Sequence, residues 1–186
     1  RYPIKSEVVI GHVRQANVGT VCLANTHPFS RELWGRNWCF AHNGQLSDFT
    51  PLGSFYRPVG DTDSEAAFCD LLNRVRAAFA EPVAWGRLLP VLVEAASHYR
   101  RHGVFNCLLS DGDWLFTCCT SKLAWITRRA PFGPACLRDV DVSVDFGSET
   151  TPDDVVTVIA TEALTSNERW QCYQPGEWRL WQRGEC

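Results

Sequence analysis

Residues 60–79 read GDTDSEAAFCDLLNRVRAAF. Thr62-x-x-Glu65 is a capping box, in which a threonine oxygen takes a backbone N–H three residues on. Downstream, Phe68, Leu71, Leu72, Val75 and Phe79 recur at i, i+3, i+4, i+7 and i+11, the apolar stripe of a helix. A second helix is expected over residues 84–101, with Trp85, Leu88, Leu89, Leu92, Ala96 and Tyr99 on one face. Pro90 should kink it or divide it, and His102-Gly103 is a plausible stop.

Away from the helices the pattern becomes that of strands. Before them, Val8, Val9 and Ile10 read as a short buried strand ending at Gly11-His12, and residues 38–41 as another. Asn43-Gly44 follows, a strong hairpin signal. After them, residues 105–110 and 114–118 flank Asp111-Gly112, a second hairpin signal. Residues 122–127, 140–144, 155–160 and 178–182 follow as strands, set apart by Gly and Pro. The order is strands, two helices, strands, which predicts an α+β fold and not an alternating βαβ one. Neither a repeat nor a linker divides the chain, so residues 1–186 read as one domain.

Composition narrows the function classes. The 186 residues are 45 % hydrophobic and 21 % charged, ordinary globular usage. A net charge of −3 argues against a nucleic-acid partner. The chain lacks an apolar run of about 20 residues, so a membrane partner is not expected. The nine cysteines form no C-x-x-C pair, which removes the zinc-ribbon and thioredoxin readings. Their odd number and apolar settings read as buried free thiols in the cytoplasm. A chain that starts at Arg1 and contains no Met is expected to be incomplete at its N-terminal end.

Polar groups gather at element ends in the first third: GHVRQAN at 11–17, NTHPF at 25–29, FAHNGQL at 40–46 and GDTDSE at 60–65. Each has an ordinary explanation. Arg14 is a solvated charge, Asn43-Gly44 a turn, and Asp63 a partner for the helix dipole. His12, His27 and His42 with Asp61 and Asp63 offer metal-ligand chemistry, at spacings that match no helical pair.

Taken together, GHVRQANVG (11–19), NTHPF (25–29), WCFAHNGQL (38–46) and GDTDSEAAF (60–68) resemble four blocks of the class II glutamine amidotransferases, in the same order. The wording is most similar to the YafJ-like subgroup, and ATEALT (160–165) through PGEW (175–178) fits it too. The resemblance covers nearly all of the chain. It implies an N-terminal-nucleophile (Ntn) hydrolase fold, a sandwich of two antiparallel sheets between helix layers, here with the first strands missing. It implies hydrolysis of the side-chain amide of glutamine, or of a γ-glutamyl compound, by a thiol, without cofactor or metal. An ammonia-accepting partner protein is left open. Arg14 matches the arginine that grips the substrate α-carboxylate, a task suited to a planar fork. Asp63 matches the acceptor for the α-ammonium, with Asp61 as a fallback. Asn43 and Gly44 match the oxyanion hole, through a side-chain amide and a backbone N–H.

Two departures stand out. Asn17 replaces a common threonine, and residue 1 is arginine where the family has its nucleophilic cysteine. Cys22 follows the Arg14 block and does not match that position. The chain as written is therefore expected to lack glutaminase activity that its parent possesses. Two other readings stay open: a non-catalytic binding protein that keeps the amino-acid clamp, and a metal-dependent hydrolase using His12, His27, His42 and Asp61.

Overall fold

The structure, a computed structural model, describes residues 6–13, 22–53, 55–147 and 150–186. Strand β1 (Phe29–Leu33) and β2 (Arg36–Leu46) form a hairpin in which Phe29 faces Phe40. Both residues of its turn, Trp34 and Gly35, have positive φ, as a type I′ turn requires. Helices α1 (Asp63–Ala78) and α2 (Trp85–Tyr99) come next. Strands β3 (Gly103–Ser110), β4 (Leu115–Cys118), β5 (Ala124–Arg129), β6 (Pro134–Cys136), β7 (Ser143–Asp145), β8 (Val155–Ala160), β9 (Gln171–Cys172) and β10 (Trp178–Trp181) complete the chain. They build an antiparallel five-stranded sheet, β1-β2-β3-β4-β10, a three-stranded sheet, β8-β5-β9, and the small pair β6-β7. The α+β class read from the sequence is the class observed.

Both helices cover one face of the five-stranded sheet. From the sheet come Phe40, Phe105, Leu109 and Phe116; from the helices come Phe68, Leu72, Leu92 and Tyr99, all buried. The rings of Phe40 and Phe68 stack at 5.1 Å. Thr62 caps α1, accepting the Glu65 N–H at 3.2 Å. Asp70, fully buried on α1, is satisfied by Tyr99 Oη at 2.7 Å, Arg74 Nε at 2.6 Å and the Leu52 N–H at 2.5 Å. On the opposite face of the sheet, Leu115 and Trp181 meet Trp125 and Ile159 of the three-stranded sheet in a second, smaller core. No helix among the described residues is long and apolar enough to cross a membrane.

Three expectations are corrected. Asn43-Gly44 is no turn: both residues lie inside β2, because the ladder to β3 runs on through Asn43–Asn106 and Gly44–Phe105. Residues 8–10 form no strand; they have no ladder partner among the described residues, and Val9 is 63 % exposed. Helix α2 runs unbroken through Pro90. Pro90 has no N–H to give the Gly86 carbonyl, one helical bond fewer in a fifteen-residue helix whose buried face is otherwise continuous.

The small sheet is tied down by an ion pair. Arg128 on β5 grips Glu168 with Nε at 2.7 Å and Nη2 at 2.5 Å, while Thr165 donates to the same carboxylate at 2.6 Å. The guanidinium and the burial-opposed hydroxyl contact hold the Glu168 carboxyl below its ordinary value of 4.5. A depressed carboxylate contributes stability above its unfolded pKa and loses it as pH falls through the folded value. Wild-type stability should therefore fall more steeply than that of Glu168→Gln below pH 4.5. The difference should be about 1 kcal/mol, between an exposed pair and a fully charged hydrogen bond. Parallel pH–melting curves for the two proteins would reject the ion pair as a contributor.

Candidate active site

The far end of β2 carries Asn43 and Gly44. Asn43 is exposed, and its side chain makes no hydrogen bond among the described residues. Its backbone is held from across the ladder by Asn106, a buried side chain whose Nδ2 donates to the Asn43 carbonyl at 2.9 Å and to Ser121 Oγ at 3.0 Å. The Oδ1 of Asn106 collects the N–H groups of Thr120, Ser121 and Lys122. One amide thus fixes the strand and the loop beside it.

Gly44 has a φ of +153°, and a Cβ there would overlap the carbonyl of Val104 and lie 2.9 Å from His42 Nε2. Close approach of two backbones demands glycine. His42, buried beneath, has both ring nitrogens engaged. Nε2 lies 3.0 Å from the Val104 carbonyl oxygen and Nδ1 2.8 Å from Ser64 Oγ. A carbonyl only accepts, so Nε2 carries the proton and Nδ1 takes the Ser64 hydroxyl hydrogen. Burial pushes the pKa of the ring below the ordinary imidazole value, with Asp63 opposing and His12 assisting.

Asp63 opens α1, and its Oδ2 accepts the Leu46 N–H at 2.6 Å. Asp61 is bound to Asn25 twice: Asn25 Nδ2 donates to its carboxylate at 2.6 Å, and its own N–H donates to Asn25 Oδ1 at 3.1 Å. Glu65 does not close the capping box on Thr62. Its buried carboxylate instead accepts from Val59 N–H at 3.0 Å and Gly60 N–H at 2.7 Å, and pairs with Arg31. These contacts fix the 59–61 loop, one wall of an open cleft of about 610 Å³ lined also by Leu46, Phe49, Asp61 and Asp63. Asn43 and Gly44 lie just outside the lining. Gly44 is two residues from Leu46 along β2, about 7 Å in an extended strand.

Of the residues singled out in the sequence, Asn43, Gly44, Asp61 and Asp63 come to neighbouring places. Arg14 lies outside the described residues. His12 and His27 meet ring to ring at a tilt of 55°, with centroids 4.3 Å apart. With His42 committed to Ser64 and Val104, and Asp61 to Asn25, the four residues of the metal reading do not assemble a ligand set. No group of three or more His, Cys, Asp or Glu placed to hold a metal occurs among the described residues. Asn25, Ser64, Asn106 and the reach of the Glu65 side chain were not read from the sequence. A polar residue inside the apolar run 105–109 was the available signal for Asn106.

All nine cysteines are free. Burial raises the pKa of Cys69, Cys107 and Cys119, and pushes Cys118 up to about 11. Such thiols hold little thiolate at neutral pH and make poor nucleophiles.

The chain belongs to the class-II glutamine amidotransferase family, whose profile matches residues 1–186. It is 56 % identical to YafJ of Escherichia coli (strain K12) over 187 aligned residues, covering 99 % of this chain and 73 % of that protein. A Haemophilus influenzae relative is 39 % identical, over 100 % of this chain and 63 % of its own length. Both relatives carry glutamine amidotransferase in their names. The 2.0 Å crystal structure of a predicted glutamine amidotransferase from Pseudomonas aeruginosa PA01 superposes with a TM-score of 0.86 at 72 % identity, over 94 % of this chain and 69 % of that one.

Proposed function

We propose that this chain supplies the substrate clamp and oxyanion hole of an Ntn-type amidohydrolase acting on glutamine or a γ-glutamyl compound. A thiol on the first residue of the mature enzyme attacks the amide carbon, and its α-amine handles the proton. Negative charge develops on the carbonyl oxygen, where the Asn43 side-chain amide and the Gly44 N–H donate to it. Ammonia leaves, for water or for an accepting partner protein. Water then cleaves the thioester to release glutamate. Arg14 holds the α-carboxylate.

One observation carries the reading most. The Asp63 carboxylate grips the same strand as the oxyanion pair, at Leu46, and lines the cleft beside it. An acceptor suited to an ammonium and donors suited to an oxyanion thus belong to one end of the same strand. Asp61, whose carboxylate takes one bond from Asn25 Nδ2, remains the fallback acceptor and also steadies the loop. The free thiols suit a reducing, cytoplasmic setting.

Ammonia release from glutamine and γ-glutamyl peptides tests the reading. An enzyme extended upstream to a cysteine start should turn over, and replacing that first cysteine by alanine should abolish turnover. In the extended enzyme, Arg14→Lys and Asp63→Asn should each raise KM by roughly 10-fold or more, the loss of a charged hydrogen bond. Asp61→Asn should have the smaller effect on KM. Turnover that survives loss of the first cysteine and vanishes when one of the nine cysteines of this chain is replaced would overturn the mechanism.

A further inference from the structure

We propose that His42 is a positioning residue, setting the first turn of α1 and its Asp63 against the strand end that carries Gly44. The inference rests on the amidohydrolase reading above and assigns that site a part which touches no substrate. The ring bridges two partners that belong to different halves of the site. Its Nδ1 takes the hydroxyl of Ser64, next to Asp63 on α1, at 2.8 Å. Its Nε2 donates at 3.0 Å to the carbonyl of Val104, the group against which Gly44 packs too closely for any side chain.

A second tie runs in parallel. Asp63 accepts the N–H of Leu46, so consecutive helix residues are bonded to β2 at positions 42 and 46. One bond runs through the His42 ring and the other through the Leu46 backbone N–H, so the start of the helix is tied to the strand at two points four residues apart. The ring cannot turn away, because Phe105 packs on it with centroids 5.0 Å apart and Phe40 at 6.4 Å. It has one donor and one acceptor to offer as a neutral imidazole, and each meets its complement. Removing either bond leaves both catalytic groups present while loosening the distance between them. Catalytic geometry is sensitive to such displacement.

Three variants of the cysteine-started enzyme separate positioning from bulk stability. Ser64→Ala removes the tie to α1 and should raise KM about fivefold, the worth of one hydrogen bond, with kcat little changed. His42→Gln can still donate to Val104 from the Nε2 position and should keep kcat. His42→Asn cannot reach Val104 and should lose about fivefold in kcat. Amide hydrogen exchange supplies a readout that needs no turnover: exchange at Leu46, whose N–H Asp63 holds, should speed up in Ser64→Ala and in His42→Asn. Lower melting temperatures with kcat, KM and Leu46 exchange all at wild-type values would make His42 a packing residue and overturn the proposal. An unmodified enzyme that releases no ammonia would refute the amidohydrolase reading instead, and the Leu46 exchange rate would still decide whether His42 couples the two elements.

Discussion

Replacing Asn43 with alanine in the cysteine-started enzyme should lower kcat by about 100- to 1,000-fold and leave KM nearly unchanged. The oxyanion exists only in the transition state and the intermediate, so its donor contributes little to binding the ground state. The fold has little to lose. Asn43 is exposed, and its side chain makes no hydrogen bond among the described residues. Exposed substitutions of this kind usually change stability by less than about 0.5 kcal/mol. Steady-state kinetics beside thermal unfolding separates the two quantities. A kcat within threefold of wild type would remove Asn43 from the mechanism.

Gly44→Ala should damage both stability and turnover. The added Cβ meets the Val104 carbonyl, a backbone group that moves only if β2 and β3 part. A φ of +153° adds strain for any side chain, of order 1–3 kcal/mol. For a domain of this size that is a fall of roughly 2–12 °C in melting temperature. The N–H of residue 44 would be displaced with the strand, so kcat should fall as well. Asn43→Ala and Gly44→Ala thus give different pairs of results, one kinetic alone, the other kinetic and thermal. An alanine variant that melts with wild type would show that the two strands do not approach at this point as described.

Much of the fold was legible because its signals are local. The capping threonine and the stripe from Phe68 to Val75 located α1, and residues 155–160 coincide with β8. The Asp111-Gly112 hairpin lies between β3 and β4 as read. The failures are non-local. Asn-Gly was read as a turn because nothing nearby announces that residues 103–108 will lie alongside as a ladder partner. The actual turn, Trp34-Gly35, places a tryptophan at positive φ, which local preference disfavours. At the site, the four blocks supplied Asn43, Gly44 and Asp63. The groups that hold them escaped notice because each bond spans distant sequence: 22 residues from His42 to Ser64, 36 from Asn25 to Asp61, 63 from Asn106 to Asn43.

Strand β4 has no solvent side. Phe116 and Cys118 belong to the core beneath the helices, whereas Leu115 packs on the smaller core and Thr117 bonds Tyr173 and Trp181 there. A slip of one residue in this strand would send the phenylalanine into the small core and the threonine hydroxyl under the helices. Each core therefore proofreads the register of the other. The helical half and the small sheet cannot settle independently, since a mispaired β4 leaves a stranded hydroxyl on one side and a void on the other.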